Sequence, residues 1–317
     1  MTPMAHKSIA IPANAVLALT LAWGTASVHA QSTAVSSVAP PSSIYHLEPL
    51  GKQQPDVKET KPLVDWLPIW GRDAREKGFD LPLPFGVGLT YTYIDQKMVV
   101  SDVKIEGRPL DITIRDAATT THTGVFRFDT WVFPFLNVYG LIGDTAGVTK
   151  PALVFPNGQV LESEVDYNRF SYGGGMTLAG GWKAWFLTLD ANWTTGEIVS
   201  KDGGQIGDKP IRSLTVAPRF GTLFSSGRMG TGSLWVGGMY LLATSEVRGT
   251  IDLSQQRLLA ELVGKDSLAY SVRIEPKDNW NLLIGGNWQI DKRWSLTAEV
   301  GGILDRFHVI GAVMWRF

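Results

Sequence analysis

Eight ionisable side chains stand at strand positions that would turn them to one side of a sheet: Arg127, Asp129, Arg169, Asp190, Arg219, Glu299, His308 and Arg316. Guanidinium and carboxylate groups held away from water need partners. Arg127, Arg169 and Arg219 are therefore expected to pair among Asp129, Asp190 and Glu299, in a combination that the sequence does not fix. Two kinds of chemistry fit such a set: a salt-bridged structural core, or a narrow polar path for small solutes. Acid–base chemistry would need a histidine beside a carboxylate. Beyond residue 30 the histidines are His46, His122 and His308. Asp95 or Asp305 could accompany the last two, yet Thr119 to Thr123 around His122 reads equally well as plain strand surface. No Ser/His/Glu set, metal-ligand cluster, phosphate loop or nucleotide motif occurs. Gly173-Gly174-Gly175 falls inside a strand pattern, where it marks close approach rather than phosphate binding. Neither a cofactor nor a metal is expected.

The elements that carry these charges read as strands. From Arg306 to Phe317 the chain alternates strictly. Phe307, Val309, Gly311, Val313, Trp315 and Phe317 point one way, while Arg306, His308, Ile310, Ala312, Met314 and Arg316 point the other. A period of two is a strand, here with one apolar face and every charge on the opposite one. Comparable segments run over 85–104, 110–133, 135–154, 159–181, 184–199, 211–224, 233–250, a strand ending near 290, and 294–303, with the terminal strand as the tenth. Turns are read at 107–109, 134, 156–158, 181–183, 201–210, 225–232, 291–293 and 304–305. Parity assigns the faces. Trp185, Leu187, Leu189, Ala191 and Trp193 oppose Phe186, Thr188, Asp190 and Asn192. Trp280, Leu282, Ile284, Gly286 and Trp288 oppose Asn281, Leu283, Gly285, Asn287 and Gln289. Arg or Lys on a lipid-facing side costs roughly 2–4 kcal/mol at mid-membrane, so the apolar faces are the outward ones.

The tryptophans carry a spacing of their own. Trp185 to Trp193 and Trp280 to Trp288 are each eight residues apart, roughly 26 Å along a strand and about 20 Å of height at a barrel's tilt. Trp182, Trp185, Trp288, Trp294 and Trp315, with the terminal Phe317, are expected at one membrane interface, and Trp193 and Trp280 at the other. The many inward glycines, among them Gly86, Gly88, Gly173, Gly175, Gly285 and Gly301, leave room in the lumen and lean towards a path.

The bulk numbers agree. The chain has 317 residues, 44% apolar and 19% charged, with 34 Gly, 12 Trp and no Cys. Beyond the first residues no run is long and apolar enough for a spanning helix. A net charge of −1 gives no reason to propose nucleic acid as partner. Lys7, the apolar stretch Ile9 to Trp23 and Val28-His29-Ala30 form a secretory signal, predicting a mature chain from Gln31. Residues 1–30 are thus read as a cleaved signal peptide, 31–83 as linker and short periplasmic or plug segment, and 84–317 as barrel. Within 44–83, a short helix is expected over 71–77. The segment containing Trp66 and Trp70 should pack under the barrel, sit at the interface, enter the lumen, or serve as a tether.

The terminal strand, ending in Phe after an aromatic two residues earlier, resembles the last strand of bacterial outer-membrane β-barrels over 84–317. The resemblance implies an all-β fold: a single transmembrane antiparallel up-and-down barrel of ten strands, with eight or twelve as alternatives. It places the protein in the Gram-negative outer membrane, among lipid and lipopolysaccharide. Insertion would use the barrel-assembly machinery, which reads the C-terminal strand. A porin-like role for small solutes is the first expectation, a salt-bridged structural barrel its companion. A surface interaction protein is the alternative, with a loop helix over 252–264 offering Leu258, Leu259 and Leu262. The ten-strand outline also resembles the omptin outer-membrane proteases, but no local sequence matches their motifs.

Overall fold

The computed structural model describes residues 63–77, 79–105, 108–109, 113–154, 160–162, 165–200, 210–225, 230–243, 245–252 and 267–317. The expected signal peptide, the 31–43 linker and the loop helix beyond Asp252 lie outside these residues.

The elements, in chain order, are a short helix α1 (Gly71–Glu76) and then strands. These are β1 (Phe85–Ile105), β2 (Arg108–Pro109), β3 (Thr113–Phe133), β4 (Leu136–Val154), β5 (Val160–Glu162), β6 (Val165–Trp182) and β7 (Trp185–Ser200). After them come β8 (Ile211–Ser225), β9 (Thr231–Leu242), β10 (Ser245–Asp252), β11 (Ser267–Pro276), β12 (Trp280–Gln289), β13 (Trp294–Gly301) and β14 (Arg306–Arg316). Ten of them close into a barrel in the order β1, β3, β4, β6, β7, β8, β9, β12, β13, β14, and β14 returns to β1. All these pairings are antiparallel. At the seam Phe317 N–H donates to the Phe85 carbonyl at 3.0 Å, and Phe85 N–H donates back at 3.3 Å. Ten is the expected number, and closure removes the sheet edges that would otherwise invite aggregation.

The wall is uneven. β1 and β3 are 21 residues long and β4 is 19, whereas β13 has 8 and β14 has 11. Roughly 9–11 residues cross a bilayer, so the first strands reach about twice that. Because the β13–β14 hairpin is short, β14 pairs with β1 only from Gly86 to Gln96. Above it β11 takes over the same edge, from Met98↔Pro276 to Ile105↔Tyr270, and β10 pairs with β11 on its other side. The strand expected over 233–250 is thus two strands, β9 and β10. The one ending near 290 is likewise β11 and β12. The physical reason is the missing neighbour: once the β13–β14 hairpin turns back, β1 still has unpaired backbone groups, and the extension leans over to satisfy them. Asp305, in that hairpin's turn, locks the junction. Its carboxylate meets Lys97 at 2.8 Å and Lys277 at 3.5 Å, while Lys97 N–H donates to the Asp305 carbonyl at 2.9 Å.

Faces follow parity. Outward Leu187, Leu189 and Trp193 are exposed, as are Trp280, Leu282 and Ile284, while inward Phe186, Thr188, Asp190, Asn192, Asn281 and Leu283 are buried. The short turns, Phe317 and the 63–84 segment gather at one end. That segment lies under the barrel mouth. Ile69 N–H donates to the Val132 carbonyl at 2.8 Å, and the Pro84 carbonyl accepts from Trp131 N–H at 2.8 Å. Leu67, Leu81 and Leu83 are buried against it. Helix α1 spans the expected place.

Candidate functional site

The inward charges form a stack of connected groups rather than isolated pairs. Nearest the short turns, Asp129 is the centre. It receives Arg127 Nε at 3.2 Å and Asn137 Nδ2 at 2.8 Å, and Arg316 Nη2 approaches it at 3.1 Å. These three come from β3, β4 and β14, which closure of the wall brings together. Arg127 also donates to Asn137 Oδ1 at 2.7 Å and lies over the Tyr139 ring at 3.6 Å. Arg316 reaches down to the Leu83 carbonyl at 3.4 Å, joining the network to the segment beneath the mouth. There Lys292 also pairs with Asp80 at 3.2 Å.

In the middle of the barrel, β8 and β13 face each other across the lumen through Arg219 and Glu299. The contact is forked, at 2.8 Å and 3.3 Å, the geometry in which a guanidinium binds a carboxylate best. Trp235 Nε1 donates a third hydrogen bond to Glu299 at 3.0 Å, and His308 Nε2 stands 3.9 Å away. Asp190 is held differently. Tyr139 Oη donates to it at 2.9 Å and Thr177 Oγ1 at 2.6 Å.

Of the three arginines expected to find partners among three acids, Arg127 meets Asp129 and Arg219 meets Glu299. Arg169 and Asp190 do not meet. Arg169 lies higher and donates to the Ile211 carbonyl at 3.5 Å, while a phenol and a threonine satisfy Asp190. Sequence parity places a side chain on a face but not at a height relative to strands several neighbours away, because strand stagger sets that. Arg316 finds Asp129 for the same reason.

Several members were not among the expected charges. Arg306 is buried and donates to Gln96 Oε1 at 3.2 Å and to the Asp278 carbonyl at 3.0 Å. It shares the parity of His308 and Arg316, so the signal was present, but it borders a turn. Asn281 Nδ2 donates to the Arg306 carbonyl at 2.9 Å and lies 3.0 Å from His308 Nδ1. Tyr139, Tyr167, Trp131 and Trp235 are buried inward as well, and parity would have found them had rings been counted with charges.

The inward glycines do not leave open space. A Cβ at Gly175 would strike the Tyr139 ring, at Gly285 the Trp235 ring, at Gly301 the His308 ring and at Gly88 Met314. These glycines admit their neighbours' side chains. An apolar cluster of Trp131, Ala179, Phe186, Leu223, Trp235, Met239, Leu283 and Ile310 is buried among them. At the mouth a recess of ≈20 Å³ lined by Asn287, Gln289, Thr297 and Arg316 has room for about one water.

His122 and His308 cannot share a site. They sit on strands flanking β1, opposite its adjacent residues Tyr93 and Ile94, so one faces out and the other in. His122 Nδ1 lies 2.7 Å from Tyr91 Oη, His308 is buried, and Asp95 is engaged by Thr120 at 3.2 Å. Among the described residues no group of three metal-ligating side chains occurs, and no helix is long and apolar enough to cross a membrane.

The expected interface aromatics form contacting rows on the outside. At the turn end Trp185 stacks on Phe220 at 5.3 Å, Trp288 meets Phe224 at 6.1 Å and Trp315 meets Phe317 at 4.8 Å. Trp182 pairs opposite Trp185 and Trp294 opposite Trp315. Trp280 meets Tyr240 at 5.2 Å at the other end, and Trp193 is exposed.

No protein-family model and no curated protein matches this chain. Among solved structures it is similar to the outer membrane protein OprG from Pseudomonas aeruginosa, at 10% identity and TM-score 0.42, covering 75% of this chain and 98% of that one. The translocator domain of autotransporter NalP from Neisseria meningitidis matches at 11% identity and TM-score 0.37, over 77% and 92%. The toluene transporter TodX from P. putida matches at 10% and 0.30, over 74% and 91%. At such scores the fold rests on this chain's own strand pairing.

Proposed function

We propose that this protein is an outer-membrane β-barrel whose lumen is sealed by its buried ion-pair network and, at the periplasmic mouth, by residues 63–84. The observation that carries this is the burial of the inward face: Arg127, Arg169, Arg219 and Arg306 are each no more than 1% exposed. Water in a continuous pore would wet such groups. The outward face supports the membrane location. Leu89, Phe126, Ile142, Phe170, Val236 and Ile284 are each about half exposed, a belt too large and continuous for water and suited to lipid.

One observation favours a gated small-solute path as second reading. Among the described residues the lumen buries five arginines against three carboxylates. A purely structural core gains nothing from unbalanced charge, whereas a path that opens would prefer anions.

Planar-bilayer recording on the mature protein tests both. The sealed reading expects no discrete conductance from the wild type; channels of stable size would overturn it. Anion-selective openings that appear only when residues 63–83 are deleted would establish the gated reading.

A further inference from the structure

Residues 63–84 have two faces, and only one is used by the barrel. Leu67, Pro68, Gly71, Leu81, Leu83 and Pro84 are buried against the mouth. Leu63, Trp66, Ile69 and Trp70 point away and are 70%, 68%, 40% and 60% exposed. Two indoles and two aliphatic side chains left in water form the kind of patch that marks a binding surface.

Its position says what covers it. The Trp70 ring meets Phe133 at 5.0 Å and Phe135 at 6.3 Å, and those two rings stack at 5.5 Å. The Phe135 carbonyl accepts from Ala179 N–H at 2.9 Å, which sets it at the foot of the outward column formed by Val138 and Leu178. The patch therefore continues the barrel's apolar belt below its rim. Exposed charges of both signs border it: Asp65 before α1, Arg72, Asp73, Arg75, Glu76 and Lys77 around α1, and Lys183 in the next turn, whose Nζ lies 4.8 Å over the Trp182 ring. Indoles continuous with a lipid-facing apolar belt are the side-chain chemistry of a membrane interface, with the ring at the acyl boundary and the neighbouring charged groups of both signs in the hydrated headgroup layer.

We infer that this face docks on phospholipid of the periplasmic leaflet, so that Trp66, Ile69 and Trp70 enter the acyl boundary and the mixed charges of α1 stay in the headgroup layer. The inference rests on the membrane-barrel reading. It makes the segment under the mouth a lipid-anchored element, held from above by Arg316 and Asp80–Lys292 and from the side by the leaflet.

The chain has no cysteine, so single spin labels are unambiguous. Trp66→Cys, Ile69→Cys, Trp70→Cys, Arg75→Cys and Leu189→Cys are each labelled in the full mature chain, reconstituted in vesicles of phosphatidylethanolamine and phosphatidylglycerol. Power saturation compares collision with oxygen, which concentrates in lipid, and with a water-soluble nickel chelate. Labels at 66, 69 and 70 are expected to favour oxygen as the mid-barrel label at 189 does, and the label at 75 to favour nickel. If 189 favours oxygen while 66, 69 and 70 favour nickel, the face is in water and the inference is overturned, the barrel reading standing. Low collision with both reagents at 66, 69 and 70 means that protein covers the face, which also overturns it. A nickel-accessible 189 overturns the membrane reading and this inference together. Three separate positions keep the outcome readable if one variant does not fold.

Discussion

Neutralising Glu299 while keeping its shape isolates what its fork with Arg219 contributes. Glu299→Gln leaves Arg219, 1% exposed, without its charge partner, and breaking a buried pair in this way costs about 3–5 kcal/mol. Urea unfolding of the folded protein in detergent should move by that much, and adding Arg219→Leu should recover a large part. A single variant as stable as wild type would mean that solvent or another group already compensates Arg219. Outward residues respond in the opposite sense. Leu189→Arg, halfway between Trp185 and Trp193, should cost roughly 2–4 kcal/mol in lipid. Refolding into bilayers measures it, and a neutral result would argue that β7 does not face lipid.

The hairpin ending at Asp305 sets how the tall wall is completed, and its contacts carry a pH dependence. The hydrogen bond from Lys97, with Lys277 nearby, holds the Asp305 carboxyl below the usual carboxylate range. A depressed folded value means the contribution is complete above the unfolded carboxylate value of about 3.9 and is lost as pH falls through the lower, folded one. Wild type and Asp305→Asn should therefore differ in thermal unfolding at neutral pH and converge in acid. A difference that persists unchanged below that range would mean the ammonium contacts are not what Asp305 supplies. At this scale most of the fold was legible: among the described residues, most strand ends, the turns near 134, 183, 291–293 and 304–305, and helix α1 fall within a few residues of where alternation, Pro and Gly placed them. The split of the seventh and eighth strands was not, because it arises from a free edge on β1, 170 or so residues away in sequence, which no local pattern records.

For the molecule as a whole, silence or conductance in a bilayer separates a sealed barrel from a path. The sequence alone carried the β-barrel class, ten strands ahead of eight or twelve, the apolar face of each strand and all the inward charges but Arg306. A period of two is a local property, and lipid enforces it residue by residue. Tertiary structure alone decided which charges meet. Arg316 joins Asp129, Asp190 takes Tyr139 instead of an arginine, and the glycines receive rings rather than water, since these outcomes depend on stagger between strands and on the volumes of side chains arriving from across the lumen. It also decided that Trp70 meets Phe133 and Phe135, because the buried face of its segment had first to find the barrel mouth.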